Sequence, residues 1–146
     1  MQIGVRLLFC LAGCAWLMSP SAKAADGNMP QLSPAQAAVV AKQTGQLKYP
    51  QERALASSWT DAKKAAEFIC RPLATTVLKQ RLKSADRVFL GDDKPQSLQL
   101  VGDRQLTGHG QVRTADGWQT FDFSCALDPK SGKAVRFEPR FPSGGR

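Results

Sequence analysis

Between Trp118 and Leu127 polar and apolar side chains alternate without interruption, and Phe121, Phe123, Cys125 and Leu127 share one side of the alternation. A period of two belongs to a strand with one buried face, so this segment is the expected centre of an antiparallel sheet. Residues 105–114 alternate in the same way, and Asp116-Gly117 between the two segments is a favoured two-residue hairpin loop. With that loop Ala115 pairs with Trp118, which sets Val112 opposite Phe121, Gly110 opposite Phe123, Gly108 opposite Cys125 and Leu106 opposite Leu127. Every inward residue then meets an inward position, and a slip by one residue would destroy the match. Gly108 and Gly110, lacking side chains, leave room in this register for Phe123 and for whatever is bonded to Cys125.

Shorter strands are expected at 87–90 and 97–101, separated by the turn-forming run Gly91-Asp92-Asp93-Lys94-Pro95. A last strand over 134–139 follows the turn 128–133, with Val135 and Phe137 inward. Phe137 belongs opposite Cys125, because the next register of the same phase sets Glu138 directly against Asp122. Phe141 to Arg146 reads as a fraying Pro-Gly tail, with disorder over 142–146.

Upstream of the sheet the period is helical. Ser33-Pro34 is an N-cap followed by a proline at the first helical position, and the helix it opens ends near Gly45. Pro50 starts a second short helix. Thr60-Asp61 opens the main one, over 61–83, whose stripe is Ala62, Ala66, Ile69, Cys70, Leu73 and Val77. Pro72 lacks an N–H and crowds the preceding turn, so a kink beside Cys70, or a break into helices 61–70 and 72–83, is predicted.

The apolar run at the start changes the picture of compartment. Arg6, the apolar residues 7–18 and Ala22-Lys23-Ala24 have the anatomy of a signal peptide over residues 1–24, cleaved before Ala25. An alternative reading is a lipoprotein box, Leu11-Ala12-Gly13-Cys14, with Cys14 as membrane anchor. Residues 25–31 form a flexible lead-in, residues 25–60 a flexible and helical segment, and 61–141 the main domain. No transmembrane span is expected in the mature chain. Cleavage removes Arg6 and Lys23, so the 20 Lys and Arg fall to 18 against 12 Asp and Glu, a net of +6. That excess favours an anionic envelope component or an acidic envelope protein as partner, although scattered charge also serves solubility. Cys10 and Cys14 leave with the leader. Cys70 and Cys125 then remain in an oxidising compartment, where one structural disulfide between them is expected. In the chain-entropy account such a bridge stabilises by about 4 kcal/mol.

Candidate chemistry is sparse. His109, the single histidine, points to the sheet face away from the core, near Gln111, Asp122 and Ser124. Side-by-side positions on a flat sheet supply neither oxyanion donors nor a pocket, so a hydrolase using His109 is a minor reading. One histidine fills no zinc or copper shell, Asp92-Asp93 lacks the further ligands of a calcium loop, and no phosphate-binding glycine loop is present. Neither cofactor nor metal is expected. Clustered basic residues interleaved with aromatics are lacking, so nucleic acid is not an expected partner. What the pattern does offer is an open sheet face carrying Thr107, His109, Gln111, Arg113, Trp118, Thr120, Asp122 and Arg136, in which Arg beside Trp is a pairing enriched at interaction hot spots.

The stretches Ala66-Glu67-Phe68-Ile69-Cys70, Gly110-Gln111-Val112-Arg113, Gly117-Trp118, Phe121-Asp122-Phe123-Ser124-Cys125 and Val135-Arg136-Phe137 resemble a proteobacterial envelope family known as domain of unknown function 930. In that family a helix carries the first cysteine, and a later tryptophan precedes a Phe-x-Cys strand. The resemblance implies an exported, disulfide-stapled α+β domain and supplies no activity.

The sequence thus points to an α+β chain: N-terminal helices, and a main helix on one face of a four- to five-stranded antiparallel meander, joined by one helix-to-strand disulfide. The expected function is that of a periplasmic, non-enzymatic binding module for another envelope component. The alternative is an inhibitor or immunity-type protein of a secreted hydrolase, inserting the loop 91–95 or 128–133 into its target.

Overall fold

The structure is a computed structural model in which residues 31–143 are described. The proposed leader over 1–24, Cys14, the lead-in up to residue 30 and residues 144–146 lie outside the described residues. Helices α1 (Pro34–Gly45) and α2 (Pro50–Ser58) come first, then α3 (Asp61–Lys64), a π-helical turn (Ala65–Cys70) and α4 (Arg71–Arg81). Five strands follow: β1 (Arg87–Leu90), β2 (Leu98–Val101), β3 (Gln105–Thr114), β4 (Gly117–Asp128) and β5 (Lys133–Arg140). They form one antiparallel sheet in the order β1-β3-β4-β5, with β2 also paired to β3.

Cys70 and Cys125 are bonded, which ties the end of the π turn to the second half of β4. Around the bridge the inward faces of the strands place Leu106, Val112, Phe121, Phe123, Leu127 and Phe137 in the core. Ala65, Ala66, Ile69, Ala74 and Leu78 cover them from the helical side. Three of those five are alanines, so the helix backbone sits close over the phenylalanine cluster, in which Phe123 and Phe137 stack at 5.3 Å.

The helical stripe departs from expectation after Cys70. The interruption expected at Pro72 takes the form of a π turn immediately before it, with the Arg71 N–H reaching the Ala66 carbonyl five residues back. Pro72 then occupies the first turn of α4, directly after the π turn that accommodates its missing N–H. A π turn inserts one residue into the helical repeat. The buried face below it therefore moves on by one position, from Leu73 and Val77 to Ala74 and Leu78, and the first two become half-buried flanks. The π turn also holds a buried carboxylate: Glu67 accepts from Lys63 at 3.0 Å and from Arg71 at 2.7 Å, partners four residues away on either side.

Helix α1 is built into the same core as the segment 61–141. Ser33 and Gln36 form a reciprocal capping box. Both go on to bind the far end of the sheet, Ser33 Oγ donating to the Pro129 carbonyl at 2.8 Å and Gln36 Nε2 to that of Asp103 at 2.6 Å. The β4–β5 turn is tucked under α1 at Gly132, where φ is +71° and an added Cβ would lie 2.6 Å from the Ala35 carbonyl oxygen.

Three strand expectations are corrected. The β3–β4 register is displaced by two residues: Thr114 pairs with Gly117, Gly110 with Phe121, Gly108 with Phe123 and Leu106 with Cys125, and the loop is Ala115-Asp116. Gly117 uses its positive φ at the first position of β4 rather than within the loop. A displacement by two keeps every side chain on its face, so alternation could not have detected it. Gly110 consequently makes room for the Phe121 ring and the Phe89 carbonyl, and Gly108 for the Ser97 carbonyl, instead of for the disulfide.

Secondly, β1 and β2 do not pair with each other; they lie end to end along one edge of β3, facing Gly110 to Arg113 and Gly108 to Gln105. Residues 91–97 are an excursion from what is otherwise one edge strand, opposite His109, whose carbonyl accepts from the Gly91 N–H at 2.8 Å. Thirdly, Phe137 does face Cys125, but Val135 is 62% exposed instead of inward. Ala126 pairs with Arg136 and Leu127 with Ala134, so Val135 is the extra residue of a bulge. Phe141 likewise does not fray: its ring packs 5.6 Å from that of Phe121.

Replacing Cys70 and Cys125 together by alanine is expected to lower stability by about 4 kcal/mol in denaturant unfolding under non-reducing conditions. Gly132→Ala is expected to cost about 1–3 kcal/mol in the same measurement, by forcing the turn away from α1.

Candidate functional site

The face of the sheet away from the helices is the candidate site. Pairing fixes its membership: Thr107 opposite Ser124, His109 opposite Asp122, Gln111 opposite Thr120 and Arg113 opposite Trp118. Arg136 shares the face from β5, opposite Ala126, where it lies 3.6 Å from Glu138 and away from the Arg113–Trp118 pair. All the candidate residues named from the alternation are therefore on one surface, but they divide into two clusters.

The first cluster surrounds Trp118, which is 48% exposed. The Arg113 guanidinium sits 5.9 Å from the indole centroid and is itself held by the Asp86 carboxylate through two hydrogen bonds, 2.9 Å from Nε and 2.6 Å from Nη2. On the other side of β3, Phe89 stands opposite Gln111 and stacks on Trp118 at 5.6 Å, with 42% of its surface exposed. The observed register makes this possible, because the expected one would have paired Trp118 with Ala115. Phe89 was absent from the residues read as the open face. The signal was present in Val88 and Leu90, whose inward alternation leaves Phe89 facing out.

The second cluster surrounds His109. Its Nε2 lies 3.1 Å from Asp92 Oδ2, so the imidazole ties the loop 91–97 to the sheet. Asp92 braces that loop further: its Oδ1 accepts from the Lys94 N–H at 2.7 Å, and its own N–H donates to Ser97 Oγ at 3.0 Å. The hydrogen bonds from His109 and from the Lys94 N–H hold the Asp92 carboxyl below its usual range. Arg113 does the same to Asp86. Ser124 accepts a hydrogen bond from Gln105 at 3.0 Å rather than from His109. His109, Asp122 and Ser124 thus share a face without forming the relay of a hydrolase. Among the described residues no group of three or more His, Cys, Asp or Glu side chains is placed to hold a metal ion.

No family model, curated protein or solved structure matches this chain. Its function must therefore be argued from the arrangement of its own side chains.

The depressed carboxyls give a pH signature. Their contribution to the native state is complete above the ordinary value of 3.8 and is lost as the pH falls through the lower folded value. Carboxyl NMR titration is expected to place the Asp86 and Asp92 midpoints below 3.8, with His109→Ala returning Asp92 toward it and leaving Asp86 in place.

Proposed function

We propose that this chain is an exported periplasmic module that binds another component of the cell envelope through the open face of its sheet, without catalysing a reaction. The observation that carries the reading is the Phe89–Trp118–Arg113 cluster: two exposed stacked rings and a guanidinium already held in position by Asp86. Tryptophan and arginine dominate binding hot spots, because each covers a large area and combines an apolar surface with hydrogen-bond donors. A guanidinium fixed before contact loses less freedom on binding than a mobile one. Arg87 stands directly opposite Arg113 on this face, and the described residues supply it with no ion pair, which favours an anionic partner surface. A periplasmic location accords with the disulfide, since such bonds persist outside the reducing cytoplasm.

A second reading rests on the loop 91–97, which projects from the sheet edge and is braced from within by Asp92 and from the sheet by His109. A loop held in one conformation by its own hydrogen bonds is what a hydrolase inhibitor presents to its target.

Affinity capture from an envelope extract separates these readings. A stoichiometric partner whose recovery falls at least about tenfold with Trp118→Ala, but not with Asp93→Ala, supports the open face. Recovery of a secreted hydrolase, lost with Asp93→Ala and kept with Trp118→Ala, would replace it with the inhibitor reading.

A further inference from the structure

The middle of the open face is nearly free of charge. Among the residues that β3 and β4 turn outward between the Arg113–Trp118 and Gln105–Ala126 pairs, only Arg113 and Asp122 are of the Arg, Lys, Asp or Glu types, and the row between them is mainly Thr and Gln with Ser124. Among the described residues the side chains of Thr107, Gln111, Thr120 and Asp122 make no hydrogen bond to the protein, while the Gln105–Ser124 and His109–Asp92 bonds lie beside them. Given the open face as the binding surface, on which this assignment rests, we infer that its occupant is an acidic polysaccharide strand lying along β3 and β4, with one sugar ring against Phe89 and Trp118 and a carboxylate toward Arg87.

A sugar ring has hydroxyls around its rim and C–H groups on its faces. The hydroxyls match a row of uncharged side chains that both donate and accept, and the C–H face packs on an aromatic surface. Phe89 and Trp118 stack at one end of the row and are each close to half exposed, so they present that surface outward. From Trp118 to Ser124 the row extends about 20 Å at the usual strand rise, enough for several linked rings. The surplus charge lies at the aromatic end. Arg87 and Arg113 stand opposite each other there, and the one carboxylate joined to them, Asp86, takes both hydrogen bonds from Arg113 Nε and Nη2. Among the described residues Asp116, in the adjoining loop, forms no ion pair with either guanidinium. Along the rest of the face Asp122 is opposite Arg140, Glu138 lies 3.6 Å from Arg136, and Asp128 is opposite Lys133, so those charges balance. One net positive charge beside the aromatic pair is complementary to a carboxylate carried on a sugar. Two other linear partners fit less well. An extended peptide binds by adding to a sheet edge, where its backbone groups meet backbone partners, and this face offers side chains only. A single-stranded nucleic acid carries a phosphate at every unit and calls for a basic groove, whereas the row holds one surplus guanidinium.

Titration calorimetry of the oxidised full chain with a β-linked tetrasaccharide alternating glucuronic acid and N-acetylglucosamine tests the assignment. The expected result is saturable one-to-one binding, weakened at least about tenfold by Trp118→Ala. Arg87→Gln should weaken it at least about threefold, to the level of the neutral N-acetylglucosamine tetrasaccharide. Both positions are exposed, so a native circular dichroism spectrum should accompany these losses. Tetraglutamate, which carries more negative charge and no rings, should not bind. Absence of saturable binding, equal affinity for tetraglutamate, or affinity unchanged by Trp118→Ala or by Arg87→Gln would overturn the assignment. A failed tetrasaccharide titration beside a Trp118-dependent protein captured from the envelope extract would remove the polysaccharide and leave the open face as the binding surface.

Discussion

The bond between Cys70 and Cys125 is the constraint on which the rest of the molecule depends. It joins the π turn of the helical layer to the second half of β4, the longest strand among the described residues, at the point where both are fully buried. With a sequence separation of 55, the bridge removes much of the freedom of the unfolded chain. It also fixes which helical turn lies over which strand pair. The alanines beside it then allow close approach, and the phenylalanine rings fill the remaining space under the helix.

The π turn follows from the same region of sequence. Pro72 cannot donate to the carbonyl four residues back, and the helix passes it by widening for one turn. Widening keeps Cys70 directed at β4 and advances the buried stripe by one residue, which brings Ala74 and Leu78 onto the core. Leu73, displaced outward, lines a cavity between α1 and the sheet turn together with Phe68. A local backbone adjustment thus has two distant outcomes, a closed core and an open apolar recess.

On the opposite side of the sheet, function and fold meet in strand register. Arg113 is beside Trp118 because the hairpin closes at Thr114 and Gly117. The Asp86 clamp on Arg113 comes from the segment entering β1, so the cluster is assembled from three strands whose relative positions are set by the core beneath. At the sheet edge the excursion 91–97 is accommodated by glycines at 108 and 110, which flank His109 and let the Ser97 and Phe89 carbonyls approach the backbone of β3. His109 then anchors the loop through Asp92.

The sequence by itself determined the faces, the caps and the bridge. Alternation assigned His109, Gln111, Arg113, Trp118, Thr120, Asp122 and Arg136 to one surface, Ser33 and Thr60 marked helix starts, and Cys70 and Cys125, the two cysteines outside the expected leader, were expected to pair. These are local or nearly local properties, carried by periods of two and 3.6 and by single residue types. Tertiary structure decided the two-residue displacement of β3 against β4, the end-to-end placement of β1 and β2, the bulge at Val135 and the shift of the helical stripe. A period of two is unchanged by a slip of two, and a helical stripe does not report one inserted residue. Only contacts between segments far apart in the chain distinguish those alternatives. They also decide whether Phe89 meets Trp118 and whether Leu73 lies in the core or lines a cavity.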